Sequence, residues 1–153
     1  MKKLEAQAGF TMIEMMIVVV VASILAAAGV PSLRHLSASQ NVRAAATRLQ
    51  SSLMLTRAEA LKRNTNVSVS PVLAGHWDAG WKVVNPNDGN NVSTYGALSS
   101  VTITGPGSVV FRSSGRVSDT ADAMFRLTSA DSTEMRCVQI TLSGVPTITS
   151  SGC

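Results

Sequence analysis

Histidine, cysteine and the residue patterns of catalysis are scarce in this chain of 153 residues. Its two histidines, His35 and His76, stand apart, one close to a long apolar run and one beside a tryptophan. Neither has the H-x-E or paired spacing that holds a metal. The serines are many but scattered, without a nucleophile elbow. No glycine loop follows the P-loop or dinucleotide pattern. Asp119, Asp122 and Asp131 share a polar stretch, but their spacing is not that of an EF-hand calcium loop. No catalytic residue, metal or cofactor is expected, and an enzyme is not.

A basic domain is also missing. The formal net charge is +4, yet it is unevenly placed. Residues 32–63 carry Arg34, Arg43, Arg48, Arg57, Lys62 and Arg63 against Glu59 alone, whereas residues 64–153 carry five basic and six acidic side chains. The near-neutral C-terminal part is therefore no nucleic-acid-binding domain of the usual kind. The two cysteines, Cys137 and Cys153, both lie late in the chain. Outside the cytosol an even pair reads as a disulfide, and inside it as two free thiols.

What is present in quantity is apolar surface near the N-terminus. From Phe10 to Val30 every residue but Glu14 is apolar, small or hydroxylic. As a helix this run is roughly 31 Å long, close to the hydrocarbon thickness of a bilayer. Lys2 and Lys3 precede it. A secretory signal would have a shorter apolar stretch followed by a small-residue cleavage site. A plain anchor would keep the lysines on the cytoplasmic side and the C-terminal part outside. Neither accounts for Glu14, because an ionised group in such a helix is costly and calls for a partner.

The segment "GFTMIEMMIVVVVASILAAAGVP" resembles the N-terminus of type IV prepilins and type II secretion pseudopilins. The resemblance implies a leader, residues 1–9, removed by a prepilin peptidase between Gly9 and Phe10, with N-methylation of Phe10. It implies a membrane-spanning, filament-core helix over 10–31, with Pro31 as the helix-kinking proline. It also implies that Glu14 neutralises the new amine of Phe10 on a neighbouring subunit. Gly29, two residues before Pro31, loosens the same place.

Beyond Pro31, residues 32–64 read as an amphipathic helix. Val42, Ala46, Leu49, Leu53 and Ala60 share one face, with Arg48, Glu59 and Lys62 opposite. The stripe is expected to pack on a sheet, leaving the arginines solvated or facing a filament. Glu59 and Arg63 are spaced for an ion pair, and Asn64 and Asn66 mark the exit. "LTRAEALKRNTNVSVSP" resembles the helix end of the GspH/FimT subgroup. So does the W-x-x-G-W stretch of Trp77, Gly80 and Trp81, and the F-x-x-x-G-R stretch of Phe111, Gly115 and Arg116. The resemblance runs from Gly9 to Cys153 and is strongest before residue 71.

Residues 65–153 read as a β-rich domain with strands at 66–73, 80–85, 100–104, 108–112, 123–128, 135–143 and 145–149. Phe125 and Leu127 alternate with Met124 and Arg126, and Val138, Ile140 and Leu142 with Gln139, Thr141 and Ser143. "NPNDGNN" reads as a loop with Asp88-Gly89 at its turn. Trp77 and Trp81 are expected at a core edge, and Gly115 at a turn. The expected fold is α+β and pilin-like: a long helix, half apolar and half amphipathic, on an antiparallel sheet domain.

The function implied is that of a minor pilin or pseudopilin. It is inserted in the inner membrane with its C-terminal domain in the periplasm, and assembled at or near the tip of a type IV pilus or type II secretion pseudopilus. Its implied partners are the prepilin peptidase, other major and minor pilins or pseudopilins, and the assembly platform. The cysteine pair and the W-x-x-G-W strand lean toward the pilus. The alternative is a minor pilin that captures DNA, a role tied in the FimT branch to a basic G-R-x-R-like motif in the last hairpin. Here Val145 and Pro146 follow Gly144, and no basic residue follows Arg136. DNA is therefore not an expected partner, since phosphate binding needs such charges.

Overall fold

In the computed structural model the described residues are 9–86, 89–118 and 123–153. Helix α1 spans Met12–Arg63 without interruption at Pro31. Eight strands follow: β1 Val67–Leu73, β2 His76–Val84, β3 Asn91–Tyr95, β4 Thr102–Thr104, β5 Val109–Phe111, β6 Ala123–Ser129, β7 Ser132–Ile140 and β8 Pro146–Thr149. They pair antiparallel in two four-stranded sheets, ordered β3-β2-β1-β5 and β4-β6-β7-β8. The α+β class is as expected, with two sheets sharing the strands. The chain forms two compact units, one ending at Arg34 and the other comprising His35–Cys153.

Within the second unit the expected helix stripe is the core. Val42, Ala46, Leu49, Leu53 and Ala60 are fully buried, joined by Ala45. They meet Val67, Val69 and Phe111 of one sheet and Phe125, Leu127, Val138 and Ile140 of the other. The helix stops where the Asn64 backbone turns left-handed, at φ 50°. The Asn64 and Thr65 amides then donate to the carbonyls of Leu61 and Ala60. This paired closure satisfies carbonyls that a helix end leaves open, and asparagine tolerates the conformation better than most residues. Lys62 and Arg63 in the last turn suit the negative end of the helix dipole.

The tryptophans are not at an edge. Both are fully buried, which Trp achieves only when its N–H finds a partner. Trp77 donates to the Pro106 carbonyl at 2.7 Å and meets Phe125 edge-on, ring centres 4.8 Å apart. Trp81 donates to Ser52 Oγ at 2.8 Å, and that hydroxyl donates to the Leu49 carbonyl at 2.7 Å. Trp81 also stacks on Tyr95, its partner across the β2–β3 ladder, at 5.3 Å. Gly80, at φ 101°, lets β3 come this close, because a Cβ there would run into the Tyr95 carbonyl oxygen.

Three strand expectations need correction. β2 begins at His76 rather than residue 80, because Asp78-Ala79-Gly80 lies inside the strand instead of breaking it. β3 was not expected at all, since its polar Asn-Val-Ser-Thr-Tyr sequence follows an asparagine-rich loop. The strand expected over 135–143 runs Ser132–Ile140, so Leu142 lies beyond it and is exposed. Asp88 lies outside the described residues. Its neighbour Gly89, at φ 70°, donates to the Asn85 carbonyl.

At the rim of the helix–sheet contact Glu134 is held by two arginines. Arg43 reaches it through Nε at 3.2 Å and a second guanidinium nitrogen at 3.3 Å, and Arg136 at 2.6 Å. The Arg43 hydrogen bonds, aided by the Arg136 charge, hold the Glu134 carboxyl below the usual glutamate range against a smaller opposing effect of desolvation. Glu59 is lowered likewise, chiefly by its 2.6 Å bond from Arg63.

Two outcomes follow from this packing. Ser52→Ala leaves the Trp81 N–H buried without its acceptor and is expected to cost about 1–3 kcal/mol, read as a lowered melting temperature by circular dichroism. Glu134 and Glu59 regain their ordinary pKa on unfolding, so their stabilisation is complete above that value and is lost as pH falls through the lower folded one. Stability should therefore decline below about pH 4.3. Glu134→Gln should be less stable than the parent at neutral pH and show a shallower acid decline in melting temperature.

Candidate functional site

The N-terminal residues singled out by the sequence sit together at the start of α1. Gly9 and Phe10 are exposed and precede the helix, which opens at Met12 with Thr11 as its cap. The Glu14 Oε2 atom accepts the Thr11 backbone N–H at 2.7 Å and the Thr11 hydroxyl at 2.9 Å. The Glu14 backbone N–H in turn donates to Thr11 Oγ1 at 3.3 Å. This reciprocal arrangement is a capping box: two amides that a helix start leaves open are satisfied by the side chains three residues apart. It also sets a carboxylate against the positive end of the helix dipole. Glu14 Oε1 has no hydrogen-bond partner among the described residues, so one carboxylate oxygen remains open.

Thr11 is not among the residues that the sequence singled out, although T-x-x-E before an apolar run is the signal for such a cap. Beyond it, α1 is long and apolar enough to cross a membrane by length and composition. Met12, Ile13, Met15, Met16, Ile17 and Val18 to Val21 all expose their side chains. The one hydroxyl in mid-run, Ser23, donates to the Val19 carbonyl at 2.7 Å. It therefore brings no unpaired donor into apolar surroundings. Residues 1–8, the rest of the expected leader, lie outside the described residues.

Far along the chain a second group converges on Gly115. The Arg57 Nε donates to the Gly115 carbonyl at 3.0 Å, so this arginine is not the solvated group expected of it. Gly115 closes the turn after Phe111, at φ 75°, with its N–H on the Arg112 carbonyl. Gly144, at φ 79°, packs against the same Gly115 carbonyl, where a Cβ could not fit. Three stretches read separately in the sequence thus meet at one carbonyl group. Arg116 is exposed, as is Val145 in the last turn. Asp131 is exposed, and Asp119 and Asp122 lie outside the described residues. No group of three or more metal-binding side chains occurs among the described residues.

Cys137 and Cys153 are joined in a disulfide with Cα atoms 5.6 Å apart. Cys137 is buried in β7 opposite Thr149 of β8, so the bond ties the tail across two paired strands.

The sequence pattern of the family described as type II transport protein GspH matches residues 45–144. The prokaryotic N-terminal methylation motif matches residues 5–30. No curated protein sequence matches the chain significantly. Among solved structures the chain is similar to the type IV minor pilin FimU of Pseudomonas aeruginosa. The two share 17% identity and a TM-score of 0.62, over 70% of this chain and 91% of that one. It is also similar to the minor pseudopilin EpsH from the type 2 secretion system of Vibrio cholerae. Here identity is 14% and the TM-score 0.55, over 74% of this chain and 99% of that one. At these identities the likeness is one of fold.

Removing the tail bond by Cys153→Ser should lower stability under oxidising conditions by about 3 kcal/mol on the chain-entropy model. The parent should fall to the level of the variant when reduced, a comparison made by thermal melting with and without reductant.

Proposed function

From the premise that the chain belongs to the GspH family, whose members are structural pilin and pseudopilin subunits and not enzymes, we propose that it is a minor subunit of a type IV pilus or type II secretion pseudopilus. It is cut between Gly9 and Phe10 by a prepilin peptidase, methylated on Phe10, and added at or near the filament tip. Before assembly it resides in the inner membrane through residues 10–31, with its C-terminal domain in the periplasm. Lys2 and Lys3 supply the positive-inside orientation.

The observation that carries this reading is the arrangement at Gly9 to Glu14, inside the segment matching the N-terminal methylation motif. Gly9 and Phe10 are exposed just before a capped helix, where a membrane-bound peptidase can reach the bond. The cut creates an amine on an apolar segment that already carries the positive end of the helix dipole. Such a charge is costly in hydrocarbon unless paired. The capping box holds Glu14 through Oε2 and leaves Oε1 to receive the Phe10 amine of a neighbouring subunit. Assembly then replaces two separately costly charges with one buried pair. Pro31, whose missing N–H weakens the helix locally, marks where the segment leaving the membrane joins the part carrying the globular domain.

The test is co-expression of the full chain with a prepilin peptidase and its filament system, followed by mass spectrometry of the N-terminus. The parent should lose residues 1–9 and gain one methyl group on Phe10. Gly9→Val should stay uncut while folding normally, since a Cβ at Gly9 meets no atom within 4 Å. Glu14→Ala should be cut, yet its amount in sheared filaments should fall by at least about tenfold, as loss of a charge pairing of several kcal/mol requires. Incorporation of Glu14→Ala at the parent's level would refute the pairing role.

A further inference from the structure

Four strands lie at the margins of the two sheets: β3 and β5 in one, β4 and β8 in the other. A margin presents main-chain N–H and C=O groups to which another chain can add a strand, and folded proteins ordinarily blunt it. Three of the four are blunted. β4 and β5 have only three residues each. β5 is also covered, because Phe111 bridges to Val117 and the Val110 carbonyl accepts the Ser118 N–H. β8 opens on Pro146, and the tail after it is tied back through Cys153. β3, Asn91–Tyr95, has five residues, with neither a charge nor a proline. Its ladder slips once, at the Asn91 end, and is regular from Ser93 to Tyr95. No further strand lies beyond it among the described residues.

The main-chain groups left open at this margin follow from the register. Pro71 has no N–H, so its pair with Trp81 is one of those in the β1–β2 ladder that exchange no hydrogen bond. The main chain of Trp81, and of Val83 two residues on, therefore faces β3, and their partners Tyr95 and Ser93 face back. Thr94, between those two, aims its N–H and C=O away from the sheet, and the residue is exposed.

β3 leads straight into a groove of about 240 Å³. Ala97, Leu98 and Val101 form one wall, and Asn41, Ala44 and Arg48 of α1 the other. That volume suits a single side chain and falls below the usual range for a small-molecule site. The lining is uncharged apart from Arg48, which is exposed and has no hydrogen-bond or ion-pair partner among the described residues. Charge complementarity therefore selects an anionic side chain with an apolar stem. Glutamate has both: methylenes for Ala44 and Leu98, and a carboxylate for the Arg48 guanidinium.

We infer that the β3 margin and this groove form a peptide-binding site for an extended segment of another protein, added antiparallel to β3 with a glutamate in the groove. Antiparallel addition is the more stable pairing per residue. It sets the start of the segment at the Tyr95 end, so the glutamate precedes the residues that pair with Thr94. Main-chain bonds supply the hold and the groove supplies the selectivity, as in other strand-addition sites. The net charge of +4 opposes a second copy of the chain and favours an acidic partner. The site needs no filament to form.

The test is NMR spectroscopy of the isotope-labelled full chain in neutral detergent micelles. The probes are blocked octapeptides of alternating threonine and valine, with one glutamate moved through each position. At concentrations up to about 1 mM, peptides with glutamate near the N-terminus should shift the Thr94 amide and the Arg48 side-chain signal together. Exchanging that glutamate for glutamine, or Arg48→Gln in the chain, should weaken binding roughly fivefold, as for a part-exposed ion pair. Thr94→Pro should keep the parent's melting temperature and bind about tenfold more weakly, having lost a main-chain donor. Ser93→Pro, whose N–H serves β2, should melt lower. If no peptide shifts Thr94, or Thr94→Pro binds as the parent does, the site is refuted. Equal destabilisation by the two proline variants would refute the orientation given to Thr94. Unchanged binding by Arg48→Gln would overturn the role of the groove, and a preference for glutamate near the C-terminus would overturn antiparallel addition. A dimer of the peptide-free chain that Thr94→Pro dissolves would show a second copy as the occupant and overturn the separate partner.

Discussion

Val42, Ala46, Leu49, Leu53 and Ala60 cannot meet water without leaving both sheets half-covered, and the fold of the second unit is built around that requirement. Each sheet is amphipathic and needs a layer on its inner face. One helix covers both. The depth of that contact explains why even polar residues of α1 are drawn in. Ser52 and Thr56 are fully buried, and each hands its proton to a carbonyl one turn back in the same helix. Ser52 thereby becomes an acceptor for Trp81, so a hydroxyl in the helix fixes one of the two tryptophans of β2. The same contact is finished at its rims by Glu134 between two arginines and by Gln50, whose amide donates to the Pro146 carbonyl at 3.1 Å.

A single helix therefore serves two surroundings. Its first stretch exposes apolar side chains, and its second pairs a buried stripe with an exposed face. The acidic residue near its start can combine a structural role with the assembly role proposed for it by using different oxygens. One oxygen closes the helix end through Thr11, and the other has no hydrogen-bond partner among the described residues. Thr11 already holds the carboxylate in place, so the proposed pairing would leave little ordering to be done on contact.

Much of this is legible in the sequence because it depends on period and on local chemistry. The helix stripe follows from steps of three and four, and every residue named in it is buried. The αL exit is signalled by Asn64, and the alternation of Phe125 and Leu127 marks the inner face of β6. What stays hidden depends on contacts distant in the chain. Gly80 looks like a strand breaker until β3 is placed beside it. Arg57 looks solvated until Gly115 and Gly144 are brought to the same point. Ser52 gives no sign that it will accept an indole proton. Thr11 is different, since its signal is local and lies next to the more conspicuous Glu14.

Within the second unit, the attachment of the helix to the sheets has a direction. A pull along the helix axis loads the buried side chains from Val42 to Ala60 together. They resist sliding as a set, sharing the force over several turns. The same contacts pulled outward would open turn by turn, each carrying the full force in succession. The sheets of this unit are thus joined to the helix in the way that best withstands tension along the helix axis, and weakly against peeling from the side.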